Sequence, residues 1–244
     1  MSESSVLRVL QAENLILPVR PAREPVGAKK PWPAWVEYRP CQVWGHDFSA
    51  FMAAGRDALA VLDLVSRKWI ATLLVVHGRG ESEHVQAVYT QALEAEGLLE
   101  TTEARMIAPN VDEQLPVLLA VSDNGPQMIS GTTREFMALP ALAMHTGRPG
   151  TPTDQAHIES FFGHVKADWP HLDKIRDPAV LATELDRIRT EYNTVRLHAG
   201  IGYITPDDEH QGRGHAIRKA RRDGMTTARA RRIAYRRQHP NSRT

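Results

Sequence analysis

Val117-Leu118-Leu119-Ala120-Val121-Ser122-Asp123-Asn124-Gly125-Pro126 is an almost unbroken apolar run that stops at an acid and a turn. A strand without polar alternation is buried on both faces, as a parallel strand is inside a helix-covered sheet. Asn124, Gly125 and Pro126 carry strong turn chemistry. Asp123 is therefore presented at the carboxyl end of a central strand, where open α/β sheets place ligands.

Upstream, Gln42 to Ser49 alternates, with Val43, Gly45 and Asp47 on one face and Trp44, His46 and Phe48 on the other. Asp57 to Val65 and Lys68 to Val76 flank a polar turn at Ser66 and Arg67, which predicts an antiparallel hairpin extending that first strand. Val85, Val88, Tyr89, Ala92 and Leu93 then mark an amphipathic helix of about four turns that Gly97 ends. Residues 100 to 115 show no clear period and read as loop.

Downstream, Thr132 and Glu135 form a capping box for a short helix, and Ala141 to His145 reads as a fifth strand. The loop from Gly147 to Thr153 has little to pack. A helix starting near Thr153 or Asp154 buries Ile158, Phe161, Phe162 and Val165, and Glu159 borders that stripe. Gln155, Glu159, Phe162 and Lys166 fall on one line of this helix. Asp177 and Pro178 launch a long helix through Leu181, Leu185, Ile188, Tyr192 and Val195 to about His198. The whole is an α/β chain with a five-stranded mixed sheet flanked by helices.

Three regions follow. Residues 1–40 hold a short helix, Val6 to Ile16, and a linker from Pro18 to Pro40 with six prolines in 23 residues. Lys29 and Lys30 precede Trp32 and Trp35 in that linker, whose indoles either stack on bases or dock on the core. Residues 41–208 form the core, and residues 209–244 a basic tail.

Charge divides the chain sharply. Residues 211–244 hold 11 Lys or Arg against the single acid Asp223, a balance of +10, so the other 210 residues carry 19 cations against 28 acids, or −9. Such a block is either a solvated tail or a surface for a polyphosphate backbone. The sole cysteine, Cys41, excludes an intramolecular disulfide framework and a multi-Cys zinc site made by one chain, which fits a reducing cytoplasm. No apolar run approaches the roughly 20 residues that span a bilayer, so a soluble protein without membrane partners is expected.

Asp47, Asp123 and Glu159 are the candidate site, with 35 residues between the second and third. Three carboxylates brought together repel one another unless they share divalent metal, and a metal pair is what phosphodiester chemistry needs. Taken singly, Asp47 reads as a strand-end acid, Asp123 as a turn former and Glu159 as a helix-surface acid. Lys166 reads as a surface lysine or a phosphate contact. Arg196 and His198 either cap the long helix, where cations are favoured, or contact DNA. His46, His157 and His145 read as structural or neighbouring groups, since hard oxygen ligands suit Mg²⁺.

Several blocks in order, Trp44-Gly45-His46-Asp47, Ser122-Asp123-Asn124-Gly125-Pro126-Gln127, Asp154-Gln155-Ala156-His157-Ile158-Glu159-Ser160-Phe161-Phe162, Tyr192-Asn193-Thr194-Val195-Arg196-Leu197-His198 and Thr205-Pro206, resemble the integrase catalytic core of bacterial insertion-sequence transposases. The resemblance runs from about residue 40 to 208. It implies a ribonuclease H-like fold and a D,D,E site at Asp47, Asp123 and Glu159. It further implies two Mg²⁺ or Mn²⁺ ions, with Asp47 bridging, Asp123 on one ion and Glu159 on the other. DNA contacts are expected at Asn124, Gln127, Lys166, Arg196, His198, Arg218, Arg221 and Arg222. Gln155 stands where the family usually has Asn, and Asp168 where Glu is common. The family's upstream helix-turn-helix reader is missing or reduced to Val6 to Ile16, so a fragment, a second-frame product or a decayed copy is expected. The single cysteine rules out the zinc domain of retroviral integrases and favours the bacterial branch.

The implied function is metal-dependent phosphodiester hydrolysis and strand transfer at mobile-element ends. The expected partners are element and target DNA, a second copy of the chain, and an upstream-frame DNA-binding protein, in a nucleoid-associated cytoplasmic setting. The alternatives are a truncated, non-catalytic DNA-binding regulator of transposition and a nuclease acting on RNA–DNA hybrids.

Overall fold

Val43, Trp44, Phe48 and Phe51 supply strand-favouring side chains to Val43–Phe51, and this segment forms the first strand, β1. The structure, a computed structural model, describes residues 12, 33, 35–107, 116–122, 142–146 and 156–239, with backbone alone at 105–107, 122, 143–146 and 156–159. Met1–Lys30 and Pro31–Thr244 are separate compact units. The other strands are β2 (Arg56–Asp63), β3 (Trp69–Val76), β4 (Leu118–Ser122) and β5 (Leu142–Thr146). The helices are α1 (Ser82–Ala95), α2 (Leu99–Ile107), α3 (Ala156–Asp168), α4 (Pro178–Thr194), α5 (Pro206–His210) and α6 (Gly214–Gln238).

The sheet order is β3-β2-β1-β4-β5. β1 pairs antiparallel with β2, and β2 with β3, so the hairpin read from the sequence extends β1 as expected. β4 runs parallel to β1 on one side and to β5 on the other. The five-stranded mixed sheet is thus ribonuclease H-like in its arrangement, with the apolar run at 118–122 inside it.

Alternation splits the core into two layers. Val43, Leu119 and Val121 pack with Phe161, Phe162 and Val165 of α3 and with Leu181, Leu185, Ile188 and Tyr192 of α4. Trp44, Leu118 and Ala120 pack instead with Val85, Val88, Tyr89, Ala92 and Leu93 of α1. Odd-numbered residues of β1 and β4 therefore face α3 and α4, and even-numbered ones face α1. Trp69, Phe161 and Tyr192 meet edge to face, with centroids 4.9 to 6.1 Å apart, an arrangement that suits the ring quadrupoles.

β3 lies at the sheet edge, and its backbone groups that no strand pairs need other partners. Asn193 supplies them from α4: its Oδ1 accepts from Trp69 N at 2.9 Å and its Nδ2 donates to Trp69 O at 2.8 Å. The β2–β3 register steps from Val61↔Ala71 to Leu62↔Trp69, which leaves Ile70 as the extra residue of a bulge. Its carbonyl accepts from Arg189 Nη1 at 2.7 Å. Asp177 caps α4 through Ala179 N at 2.8 Å, with Pro178 at the first helical position, as the Asp-Pro pair predicts.

Two expectations are revised. Leu99–Ile107 is helix rather than loop; Gly97, at φ 66°, ends α1, and Leu98, Leu99 and the buried Thr102 seat the next turns, with the threonines hiding the apolar period. α4 stops at Thr194, short of His198, and Val195 is exposed rather than buried. Beyond it the chain turns through Ala199–Ile201, and His198 bridges Ile204. The basic tail is largely helical, as α6. The helices expected at Val6 to Ile16 and near Thr132, and the loop from Gly147 to Thr153, lie outside the described residues apart from Ala12.

Replacing Asn193 by Ala strips two buried backbone groups of their partner. Denaturant unfolding should show a loss of about 2–4 kcal/mol; a loss below about 0.5 kcal/mol would mean that water or relaxation replaces the clamp.

Candidate metal centre

Asp47 lies on β1 in a partly buried position, on the odd-numbered face that meets α3 and α4. Its Oδ1 accepts from Phe48 N at 2.8 Å. On the opposite face, His46 is fully buried; its Nδ1 is 2.7 Å from Tyr89 Oη, and burial pushes its pKa down to about 3. His46 is therefore a neutral core group, packed edge to face on Tyr89.

The register fixes where β4 ends relative to Asp47. Val43 pairs with Leu119, Trp44 with Ala120 and Gly45 with Val121. Asp47 is two residues beyond Gly45, and in the sequence Asp123 is two residues beyond Val121. Asp123 itself, with Asn124 and Gln127, lies outside the described residues.

Position 159 is in α3, and the neighbouring side chains show how that helix sits. Phe162 meets Phe51 at 6.4 Å between centroids. Lys166 Nζ donates to Ala50 O at 2.6 Å, pairs with Asp173 at 3.2 Å and lies 4.5 Å from the Phe51 ring centre. The Phe162–Lys166 line thus faces the carboxyl end of β1. Phe161 packs on Trp69, which is level with Leu62 and through it with Gly45. α3 consequently runs alongside β1 in the same sense. The side chains of Glu159 and His157, like that of His145, lie outside the described ones.

Of the other expected contacts, Arg196, His198, Arg218 and Arg221 have local partners. Arg196 Nε donates to Asp168 at 2.8 Å, and its guanidinium lies 5.4 Å from the Tyr192 ring centre. Tyr192 is held up at about 12 chiefly by burial, so it stays a phenol. His198 N donates to Ile204 O at 2.9 Å. Arg218 bonds Ile201 O at 2.9 Å and Glu209 at 2.7 Å, Arg221 bonds the carbonyls of Gly202 and Tyr203, and Arg222 is exposed. Trp35 packs on the core, as a docked linker predicts.

Residues 141–206 match the family described as integrase core domain. Over 94 residues, 38% of the chain, the sequence is 30% identical to the transposase for insertion sequence element IS904 of Lactococcus lactis subsp. lactis (strain IL1403). The match spans 37% of that transposase's length. Among solved structures, the chain is similar to the catalytic core domain of BIV integrase, with a TM-score of 0.48 and 16% identity over 72% of this chain and 97% of that one. It is similar also to a simian T-cell lymphotropic virus intasome in complex with PP2A regulatory subunit B56 gamma, with a TM-score of 0.48 and 15% identity over 71% of this chain and 55% of that one. The family match and the transposase relative support an integrase or transposase core, as the motif blocks imply.

A second polar group escaped the sequence reading, because its members are scattered and no spacing joins them. Ligand-type atoms of Cys41, Asp63 and His210 lie within 4.8 Å of one another. Asp63 already accepts from Cys41 N, Val65 N, Ser66 N and Ser66 Oγ. His210 is held between Ser66 Oγ at 2.9 Å and Glu96 Oε2 at 2.7 Å, and Lys68 reaches Glu96 at 2.8 Å. Burial pushes the Cys41 thiol up to about 12, with the Glu96 and Asp63 charges adding to it. Burial opposes ionisation of Glu96, but hydrogen bonds from His210 and Lys68 outweigh it and hold this carboxyl below its usual range. These contacts tie the start of β1, the β2–β3 turn, the end of α1 and α5 together.

Because the folded state holds the Cys41 proton more tightly than the unfolded chain, the thiol's contribution to stability falls as pH rises above its ordinary 9.0. At pH 8, alkylation of native Cys41, followed by mass spectrometry, should run at least about a hundredfold slower than in denaturant. Equal rates would refute the shielded, protonated thiol.

Proposed function

We propose that this chain is the catalytic core of a DNA transposase, which cuts a phosphodiester at the end of a mobile element and joins the freed end to target DNA. The observation that carries the reading is the parallel pair Gly45↔Val121, with an aspartate two residues beyond each member. Side chains two apart on a strand share a face, and paired strands lie about 4.8 Å apart. If both strands keep their course, Asp47 and Asp123 emerge side by side towards α3.

Helix geometry supports the third acid. Seven residues of helix rise about 10 Å, and three residues of strand also span about 10 Å. Lys166 reaches Ala50 O and Phe162 meets Phe51, so in this proposal position 159, one to two turns back on the same helix line, lies towards the Asp47 part of β1. Three carboxylates on a partly open sheet end form a hard oxygen donor set, which fits magnesium or manganese. Such ions, when bound, offset the repulsion among the acids and polarise the oxygens of a phosphodiester.

In this proposal the carboxylates of Asp47, Asp123 and Glu159 would together hold the ions. Lys166 sets the height of α3 by its bond to Ala50 O, and so positions Glu159. The reaction has two displacements at phosphorus. Water forms the first new P–O bond and the element's 3′ oxygen leaves; that 3′-hydroxyl then forms a bond to target phosphorus and the target's own 3′ oxygen leaves. No covalent bond to the protein is needed. At least two copies of the chain hold the two element ends, and the site of action is nucleoid DNA.

The test is cleavage and joining of duplexes carrying the element's ends, with Mg²⁺ or Mn²⁺. Asp47→Asn, Asp123→Asn and Glu159→Gln should each lower both steps by on the order of 10³-fold or more, with the folded circular dichroism spectrum intact, and chelation should abolish both. Undiminished activity in any one of the three variants would remove the proposed site. DNA binding by the parent chain without cleavage would favour a regulator instead.

A further inference from the structure

α6 is a 25-residue helix, and it is exposed from Lys219 to its end. At about 100° per residue, Arg218, Arg221, Arg222, Arg229, Arg232 and Arg236 fall within an arc of about 100°. Ala216, Ala220, Asp223, Thr227, Ala230 and Ala234 occupy the opposite side. Arg218 and Arg221 are committed to Glu209 and to the loop carbonyls at 201 to 203, so they root the helix on the core. The helix's one acid, Asp223, is paired with Lys219 at 2.7 Å. Among the described residues, no ion pair reaches Arg222, Arg229, Arg232 or Arg236.

We propose that this outer arginine face is a docking surface for the phosphate backbone of duplex DNA, read without regard to sequence. Arg222 and Arg236 are about 21 Å apart along the axis, a span that faces many phosphates of a duplex, which carries one charge per about 1.7 Å. Guanidinium groups hold phosphates through paired N–H donors. Like charges one turn apart, such as Arg232 and Arg236, disfavour the helix when it is free. A polyanion relieves that repulsion, so helix content rises on binding. An anionic membrane is the rival partner for a basic helix, but it needs an apolar stripe. Met225, Ile233 and Tyr235 are exposed and scattered: Met225 lies inside the arginine arc, Ile233 at its margin and Tyr235 well away from it. Duplex DNA as the polyanion rests on the reading of the core given above; the surface itself stands on the helix.

The experiment measures affinity for a fluorescent duplex of about 24 base pairs and arbitrary sequence by anisotropy across a salt series. It compares the parent chain with R222Q/R229Q/R232Q/R236Q and with the matching four-lysine variant. Glutamine keeps helix propensity, and these positions are exposed, so both variants should fold. Four lost phosphate contacts should reduce the magnitude of the log K against log salt slope by about 3 to 4. Affinity at 0.1 M salt should fall by at least about 100-fold, and the lysine variant should recover most of the slope. Far-UV circular dichroism of the parent should gain helix when the duplex is added. An unchanged slope in the glutamine variant would overturn the proposal. So would loss of binding to phosphatidylglycerol vesicles with DNA binding intact. Repeating the series on Asp47→Asn separates the two readings, because binding through α6 persists there whatever becomes of cleavage.

Discussion

The parallel pairing of β1 with β4 is the constraint on which the rest of the architecture depends. It holds only because both strands are buried on both faces, which requires helices on each side of the sheet. α1 covers the even-numbered side chains, and α3 and α4 cover the odd-numbered ones. Gly45, the residue opposite Val121, has no side chain because Leu64 lies over it; a Cβ there would come within 2.9 Å of Leu64 Cδ2. Just past β2, Leu64 N donates to Val43 O at 2.8 Å, which carries the antiparallel pairing with β1 one residue further.

From that frame, polar side chains finish what apolar burial begins. Asn193 and Arg189 satisfy the edge and bulge of β3 from α4, so the helix is fixed in height as well as in face. Lys166 does the same for α3 against β1. Asp63 gathers four donors around the β2–β3 turn, and His210 and Glu96 join that turn to α5 and α1. Buried polar groups are expensive unless fully partnered, so each clamp selects one arrangement of elements over its near alternatives. The proposed metal centre needs such rigidity, because carboxylates must meet a shared cation within a few tenths of an ångström.

Much of this was legible in the chain because period and turn chemistry are local signals. Alternation in 42–49 gives the two faces of β1, the apolar run at 117–122 gives a central strand, and Asp177-Pro178 gives the start of α4. α2 was not legible, since Thr101 and Thr102 break its apolar period and its placement comes from packing on Leu98 and Leu99. Val195 continues the apolar period yet is exposed, because nothing local distinguishes the last helical turn from the loop that follows. The group around Cys41 could not be read at all: its contacts span up to 169 positions along the chain. Of the candidate site, sequence names the three acids and the structure supplies the register and the helix direction that favour their meeting.

The most direct test of the central claim is anomalous diffraction from crystals of the full chain grown with Mn²⁺. The expected result is manganese coordinated at about 2.1 to 2.2 Å by oxygens of Asp47, Asp123 and Glu159 together. Carboxylates of those three residues more than about 12 Å apart, with manganese absent between them, would contradict it, since carboxylate ligands reach a shared ion only at about 2 Å.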